Sequence, residues 1–219
     1  AADKVVWENF RHIGLYYDQA FQPETIDPAI LKGMLRAVDT VHDIVAWKAK
    51  SRGIQTQNNW RIDLDGGSFG HDTLRRAEGI IQGLFLHEPS EALYFLTYHD
   101  GEGEYLNGNK NYDLHFAADQ LPPVDLFWSI TLYDQSYNFA YNPDGIQSVS
   151  DHQSSFRYHT DGSLTIKLQP SAPAEGKHNW LPTPKGKKFR LTFRMYKPHA
   201  VMTDKTKMDH YLPPVTLVK

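Results

Sequence analysis

Near Ala92 the spacing of apolar residues switches from a helical repeat to a strand repeat, which restricts the chain to a helical segment followed by β structure. Upstream, "IDPAILKGMLRAVDTVHDIVAWKAKSRG" sets Ile30, Met34, Ala37, Val41 and Val45 on one helical face. Asp27 is placed to cap this helix, Pro28 to open it and Gly53 to stop it. A second helix is expected over "HDTLRRAEGIIQGLF", capped by Asp72, with Leu74, Ala77, Ile81 and Leu84 in one stripe. Gly79 and Gly83 interrupt it and mark close packing. Downstream, Tyr112, Leu114 and Phe116 alternate with Asp113 and His115, and the same period runs through Tyr137, Phe139 and Tyr141 and through Phe156 and Tyr158. Phe189, Leu191, Phe193 and Met195 alternate with Arg190, Thr192, Arg194 and Tyr196. In "SFRYHTDGSLTIKLQ", Asp161-Gly162 offers the positive-φ turn of a hairpin that points Leu164, Ile166 and Leu168 inward. Short strands separated by turn residues imply an antiparallel sandwich or barrel. The fold expected is α+β and mainly β, with a helical segment over residues 1–88 and a β domain over 89–219. The stretch "QPSAPAEGKHNWLPTPKG" reads as a loop held along the sandwich by Trp180 and Leu181.

Composition narrows the chemistry. A chain of 219 residues buries enough surface to fold without staples. The lack of cysteine excludes disulfides, iron–sulfur clusters, thiolate zinc sites and cysteine nucleophiles. A net charge of -3, spread over interspersed residues of both signs, argues against a nucleic-acid partner. No apolar run approaches the roughly 20 residues of a membrane span, so a soluble chain is expected. A start at Ala1-Ala2-Asp3 without methionine points either to a mature product of signal cleavage or to a piece of a longer protein, and favours a periplasmic or secreted location over a cytoplasmic one.

A set of ordered landmarks runs through the chain: Gly70-x-Asp72 leading to Arg76-Ala77, Glu91-Ala92 with Tyr94, Leu106-x-Gly108, and Tyr112-x-Leu114-x-Phe116. It continues with Pro122-Pro123-Val124, Phe127-Trp128-Ser129, Tyr133-Asp134, Asn142, Asp161-Gly162-Ser163-Leu164, Asn179-Trp180-Leu181-Pro182, Arg194-x-Tyr196-x-Pro198 and Pro213-Pro214. On these residues the chain resembles a bacterial group of uncharacterised proteins with paired domains of unknown function, numbered 1254 and 1214, and the match is to the second. The resemblance implies a helical segment followed by a jelly-roll-like β-sandwich, with another β domain upstream as a partner. Thr73 departs from the family, which tends to have tyrosine after Asp72. The resemblance supplies no catalytic residues.

Motifs that carry chemistry are few. "GGSFG" at 66–70 has the Gly-x-Ser-x-Gly spacing of a nucleophile elbow, but Asp72 caps the next helix too late for Ser68 to sit at its start, so a tight turn is expected. Asp63, Asp65, Asp100, Glu102 and Glu104 lie in glycine-rich loops without EF-hand spacing. The 11 histidines contain neither His-x-His nor His-Glu-x-x-His, so no metal site is assigned, although His115, His159 and Asp113 share the polar side of expected strands. No cofactor is expected, since "GEGEYL" lacks the third glycine of a dinucleotide loop and no Walker-type lysine is present.

What remains is a face. In "DLFWSITLYD" the period of two places Leu126, Trp128, Ile130 and Leu132 in the core and Phe127, Ser129, Thr131 and Tyr133 on the other side. Rings and hydroxyls together suit a sugar or another amphipathic small molecule. Arg157, Arg190, Arg194 and His159 are placed to add an anion-binding end. The function expected is a β-sandwich module that docks a partner domain or subunit, with homo-oligomers as one form, or binds a small, saccharide-like ligand. The alternative is a hydrolase or lyase with His159 or His115 as base, Asp113 or Asp134 orienting it and Arg194 stabilising an anion.

Overall fold

A computed structural model describes residues 3–51, 53–83, 86–154 and 156–218. The chain divides into two compact units, Ala1–Arg52 with Asp65–Leu86, and Gly53–Leu64 with His87–Lys219.

The first unit is helical: α1 (Asp3–Glu8), α2 (Pro28–Ser51) and α3 (Thr73–Gln82). The Asp27 carboxylate accepts from the amides of Ala29 (2.8 Å) and Ile30 (3.3 Å), satisfying two of the donors that a helix start leaves open. Asp72 does the same for Arg75 (2.9 Å). Gly79 packs closely, since a Cβ there would lie 3.0 Å from Leu86 and 3.2 Å from Phe69, whereas Gly83 ends the helix with open space around it. Leu84, expected in the α3 stripe, lies outside the described residues. The α2 stripe is only partly covered: Val45 is buried and Ile30 and Met34 are half-buried, but Ala37 and Val41 are exposed, as are Leu35, Val38 and Ile44. No described helix is long and apolar enough to cross a membrane.

The second unit is a two-layer sandwich. Its strands in chain order are β1 (Ile54–Gln55), β2 (Arg61–Ile62), β3 (Ala92–Thr97), β4 (Tyr112–Phe116), β5 (Val124–Asp134), β6 (Ser148–Ser150), β7 (Leu164–Gln169), β8 (Trp180–Pro182), β9 (Phe189–Pro198) and β10 (Val215–Leu217). One sheet has the order β1-β2-β3-β9-β5-β6 and the other β10-β4-β7-β8. Between them lies a core in which Phe116 packs on Trp128 (5.7 Å between ring centroids) and on Phe193 (5.7 Å), joining the two sheets. Trp60, fully buried, packs at a tilt against Phe193 and donates its indole N–H to the Pro213 carbonyl at 2.8 Å, which ties the β1–β2 hairpin and the C-terminal tail to the same core.

Two expected strands are absent. β7 pairs with β4 on one side and β8 on the other, so Phe156–His159 has no edge to join. The Asp161-Gly162 turn itself forms, with Gly162 at φ 83 and the His159 amide donating to the Ser163 carbonyl at 2.8 Å. Residues 137–141 likewise form only a bridge between Tyr133 and Phe139, because the Asp134 carboxylate accepts from the amides of Ser136 (2.8 Å) and Asn138 (3.0 Å) and bends the chain. The Pro-rich stretch ends in a strand: β8 runs parallel to β7, and the Trp180 indole donates to the Gln169 carbonyl at 2.9 Å. The sandwich is therefore antiparallel apart from this pair, whose connection over residues 170–179 has to return to the same end of the sheet. Leu126 is also moved: the β5 register slips between Val124 and Phe127, and Leu126 is 57% exposed while Trp128, Ile130 and Leu132 are buried.

Gly108 is where two loops meet at backbone distance, and a Cβ there would lie 2.0 Å from the Pro184 carbonyl oxygen. Gly108→Ala is expected to destabilise the second unit by about 2 kcal/mol or more, read as a lower urea midpoint at unchanged slope.

Candidate functional site

The pleat sorts the candidate residues onto two outer faces. On β9 the inward residues Phe189, Leu191, Phe193 and Met195 alternate with the outward Arg190, Thr192, Arg194 and Tyr196. Register then draws cross-strand rows on the outer face of the six-stranded sheet. Tyr196 lies opposite Ala92 and Phe127, Arg194 opposite Tyr94 and Ser129, Thr192 opposite Leu96 and Thr131, and Arg190 opposite Tyr133. Ser129, Thr131, Tyr133, Arg190 and Arg194 are thus brought together, on a face that is unusually well covered: Ser129, Thr131, Arg190 and Thr192 are all at least nine-tenths buried.

Arg194 is held by neutral groups. Its Nη1 donates to Thr131 Oγ1 at 2.8 Å and its Nη2 to the Tyr133 hydroxyl at 2.7 Å. Arg190 is held mainly by rings, its guanidinium carbon 4.1 Å from the centroid of Tyr137, 5.0 Å from Tyr133 and 6.0 Å from Tyr98. It makes one long hydrogen bond, Nη1 to the Tyr98 hydroxyl at 3.4 Å, and its buried Nε has no partner. Among the described residues neither guanidinium meets a carboxylate. An unmet buried donor costs about 1–3 kcal/mol, and more on a charged group. Tyr137, the ring nearest Arg190, sits at φ 66, a left-handed backbone that residues other than glycine rarely adopt. Burial first, then the neighbouring Tyr98 phenol, push the Tyr137 hydroxyl above its ordinary pKa.

The other end of the face is aromatic. Phe127 stacks on Tyr196 with centroids 4.5 Å apart and planes at 19°, and His152 flanks Phe127 at 5.1 Å. The Tyr94 hydroxyl lies 2.6 Å from Nδ1 of His87. Burial, and then the adjacent Tyr196 phenol, push Tyr94 up to about 12, so it remains a neutral donor across the physiological range. His87, Tyr94, Tyr98 and Tyr137 were not among the expected site residues, although Tyr94 is one of the ordered landmarks and Tyr137 opens an alternating run. Tyr94 and Tyr98 flank β9 only through strand pairing and a following loop, and nothing local to His87 or Tyr137 signals their positions.

The histidine group belongs to the opposite outer face. His115 and His159 both bond the Thr165 hydroxyl, through Nδ1 at 2.9 Å and Nε2 at 3.1 Å, and Asp113 pairs with its cross-strand neighbour Lys167 at 2.9 Å. These residues project from the four-stranded sheet, with the core between them and Arg194. Sheets pack about 10 Å apart, beyond the reach of one bridging water, so the structure does not assemble Arg194 with His115, His159 or Asp113. Asp134 is engaged in its turn, as above. The Arg157 backbone is clamped by Asn179, which accepts from its amide at 2.9 Å and donates to its carbonyl at 2.6 Å, beside β8 and away from Arg190. No group of three or more His, Cys, Asp or Glu side chains arranged to hold a metal ion occurs among the described residues. Of the acidic loops, Asp100 is buried and caps the amides of Glu102 (3.1 Å) and Glu104 (2.9 Å), and Asp65 pairs with Arg75 at 2.7 Å. Ser68 lies in an irregular turn ahead of α3 and not at a strand-to-helix elbow.

Residues 91–200 match the family described as "Protein of unknown function (DUF1214)", and the chain belongs to that family. No curated protein matches it. Among solved structures it is similar to the VPA0106 protein from Vibrio parahaemolyticus, with 24% sequence identity and a TM-score of 0.63, covering 100% of this chain and 51% of that one. An uncharacterized protein from Burkholderia cenocepacia matches with 13% identity and a TM-score of 0.35, over 99% of this chain and 51% of that one. The first likeness shows a shared fold, and the chain spans about half the length of both solved structures.

Tyr94 gives the site a pH signature. Unfolded, a tyrosine holds its proton to about pH 10, whereas Tyr94 in the fold holds it to about 12, so the folded state binds more protons between these values. The stability it contributes is complete below pH 10 and is lost as pH rises toward 12. Wild-type protein should lose more stability than Tyr94→Phe between pH 9 and 11.5 in denaturant titrations.

Proposed function

We propose that the chain is a ligand-binding β-sandwich module whose binding surface is the outer face of the six-stranded sheet. The ligand is a small amphipathic molecule of saccharide size. The observation that carries this reading is the face itself, where Ser129, Thr131 and Tyr133 hydroxyls stand in register beside Arg190 and Arg194, with the Phe127–Tyr196 stack at one end. Such a strip offers ring surface for stacking and fixed donors for orientation. A thermal-shift panel of monosaccharides, uronic acids and small carboxylates should contain compounds that raise the melting temperature. Thr131→Val and Tyr133→Phe should each weaken those compounds by about three- to tenfold, the value of one lost hydrogen bond. A panel without effect on the intact protein would count against the reading.

Docking is the second part of the proposal, and a different feature supports it. Helix α2 exposes Leu35 (63%), Val38 (58%), Val41 (44%) and Ile44 (45%) along one side, a run of apolar surface that usually marks an interaction site. Its partner is a further domain of the same protein or another subunit, in line with the VPA0106 protein being about twice as long as this chain. By itself the chain should self-associate in sedimentation runs at rising concentration, and Val38→Glu with Val41→Glu should abolish this. Monomeric wild type at every concentration would argue against a docking face on α2. The acid–base reading as a hydrolase or lyase has no comparable support, its residues being divided between the two outer faces.

A further inference from the structure

We infer that Arg190 anchors the ligand through a carboxylate, gripped by the Nε and Nη2 edge of its guanidinium, and that Tyr137 is the side chain that gives way when the carboxylate enters. This rests on the reading of the six-stranded face as a ligand-binding surface and states which group on the ligand that face selects.

The two arginines differ in what they have left to offer. Arg194 has both terminal nitrogens committed to the Thr131 and Tyr133 hydroxyls, so it contributes charge and holds those hydroxyls in place. Arg190 has one long bond at Nη1 and a buried Nε without a partner, in a residue only 4% exposed. Parallel N–H groups at Nε and Nη2 match the two oxygens of a carboxylate. The surroundings select the shape: Tyr137 and Tyr133 rings flank the guanidinium at 4.1 and 5.0 Å, a setting that suits a planar acceptor better than a tetrahedral phosphate. Charge selects the sign, because both guanidinia approach the Tyr133 ring, at 5.0 and 5.6 Å, with no carboxylate among the described residues to balance them. Tyr137 lies against this guanidinium, its ring centroid 4.1 Å from the guanidinium carbon, on a strained left-handed backbone in the turn that leaves β5 and is tied back at Asp134 and by the Tyr133–Phe139 bridge. Its displacement therefore relieves a backbone conformation as it opens the anchor.

The test is a titration of the whole chain followed by amide and guanidinium 1H–15N spectra at constant ionic strength. The probes are acetate, D-glucuronate, D-glucose and inorganic phosphate, and the Arg190 Nε–H signal is assigned by its loss in Arg190→Lys. Acetate and D-glucuronate should move that signal to saturation, with D-glucuronate also shifting the amides of Ser129 and Thr131. Arg190→Lys, which keeps the charge and loses the fork, should weaken D-glucuronate by about tenfold or more. Tyr137→Gly should tighten it by about three- to tenfold, since the covered state no longer competes. Should Arg190→Lys fail to fold, the Arg190 Nε–H signal is assigned through its bonds to the side-chain carbons and backbone of Arg190, and the titration of wild type and of Tyr137→Gly decides. If D-glucuronate and D-glucose shift Ser129 and Thr131 alike and leave the Arg190 signal still, the carboxylate anchor is wrong and the ligand-binding face stands. A response of Arg190 to phosphate alone overturns the choice of carboxylate. Silence of the entire face with every probe overturns the face reading along with the anchor. Unchanged affinity in Tyr137→Gly removes the gating role.

Discussion

The pairing of β9 with β3 on one side and β5 on the other is the constraint on which the second unit depends. It runs through Ala92–Thr97 along one edge of β9 and reaches Asp134 along the other. Because both edges are used, every β9 side chain is assigned to one face or the other without freedom to slip, since a one-residue shift would exchange core and outer residues along the whole strand. Phe193, at the centre, meets Trp60, Phe95, Phe116 and Trp128, so the hairpin, three strands of one sheet and a strand of the other converge on a single ring. Core packing of this kind specifies the sheet order as much as it stabilises it.

The same strand explains why the outer face is chemically unusual. With β9 central, its outward residues are flanked by side chains from two neighbours, and Arg190 and Thr192 are as buried as many core positions. A buried cation normally finds a carboxylate, because the desolvation of an unpaired charge is expensive. Here the two guanidinia are met by phenols, a threonine hydroxyl and ring faces instead. The face thus keeps positive charge in a partly dry setting, where a complementary group is worth more than on an open surface. On the opposite sheet, Asp113 and Lys167 answer each other and His115 and His159 share one threonine, so that face carries no comparable excess.

How much of this was legible in the sequence depends on the range of the interactions. The caps at Asp27 and Asp72, the strand over Phe189–Pro198 with its two sides, the core role of Trp128 and the Asp161-Gly162 turn follow from residues within a few positions of one another, and all are present in the structure. The grouping of Ser129, Thr131 and Tyr133 on one side of β5 is equally local. Alternation over Phe156–Tyr158 and Tyr137–Tyr141 was just as regular, yet it yields no strand, because beside the first both edges of β7 were already paired and at the second the Asp134 carboxylate bends the chain. Leu126 was misplaced by a register slip that no local pattern announces.

What the amino-acid order determined by itself is therefore the caps at Asp27 and Asp72, the inward and outward sides of β9 and of β5 from Trp128 on, and the absence of thiol chemistry. These follow from adjacent residues, side-chain period and composition, which need no distant partner. Only the tertiary structure decided which strand lies beside which, and hence that Arg194 faces Thr131 and Tyr133 while His115 and His159 lie beyond the core on the other sheet. It also decided that Tyr137, from a loop, covers an arginine whose Nε has no partner. Neighbour choice depends on competition among edges across the whole domain, and that competition is a property of the assembled sandwich.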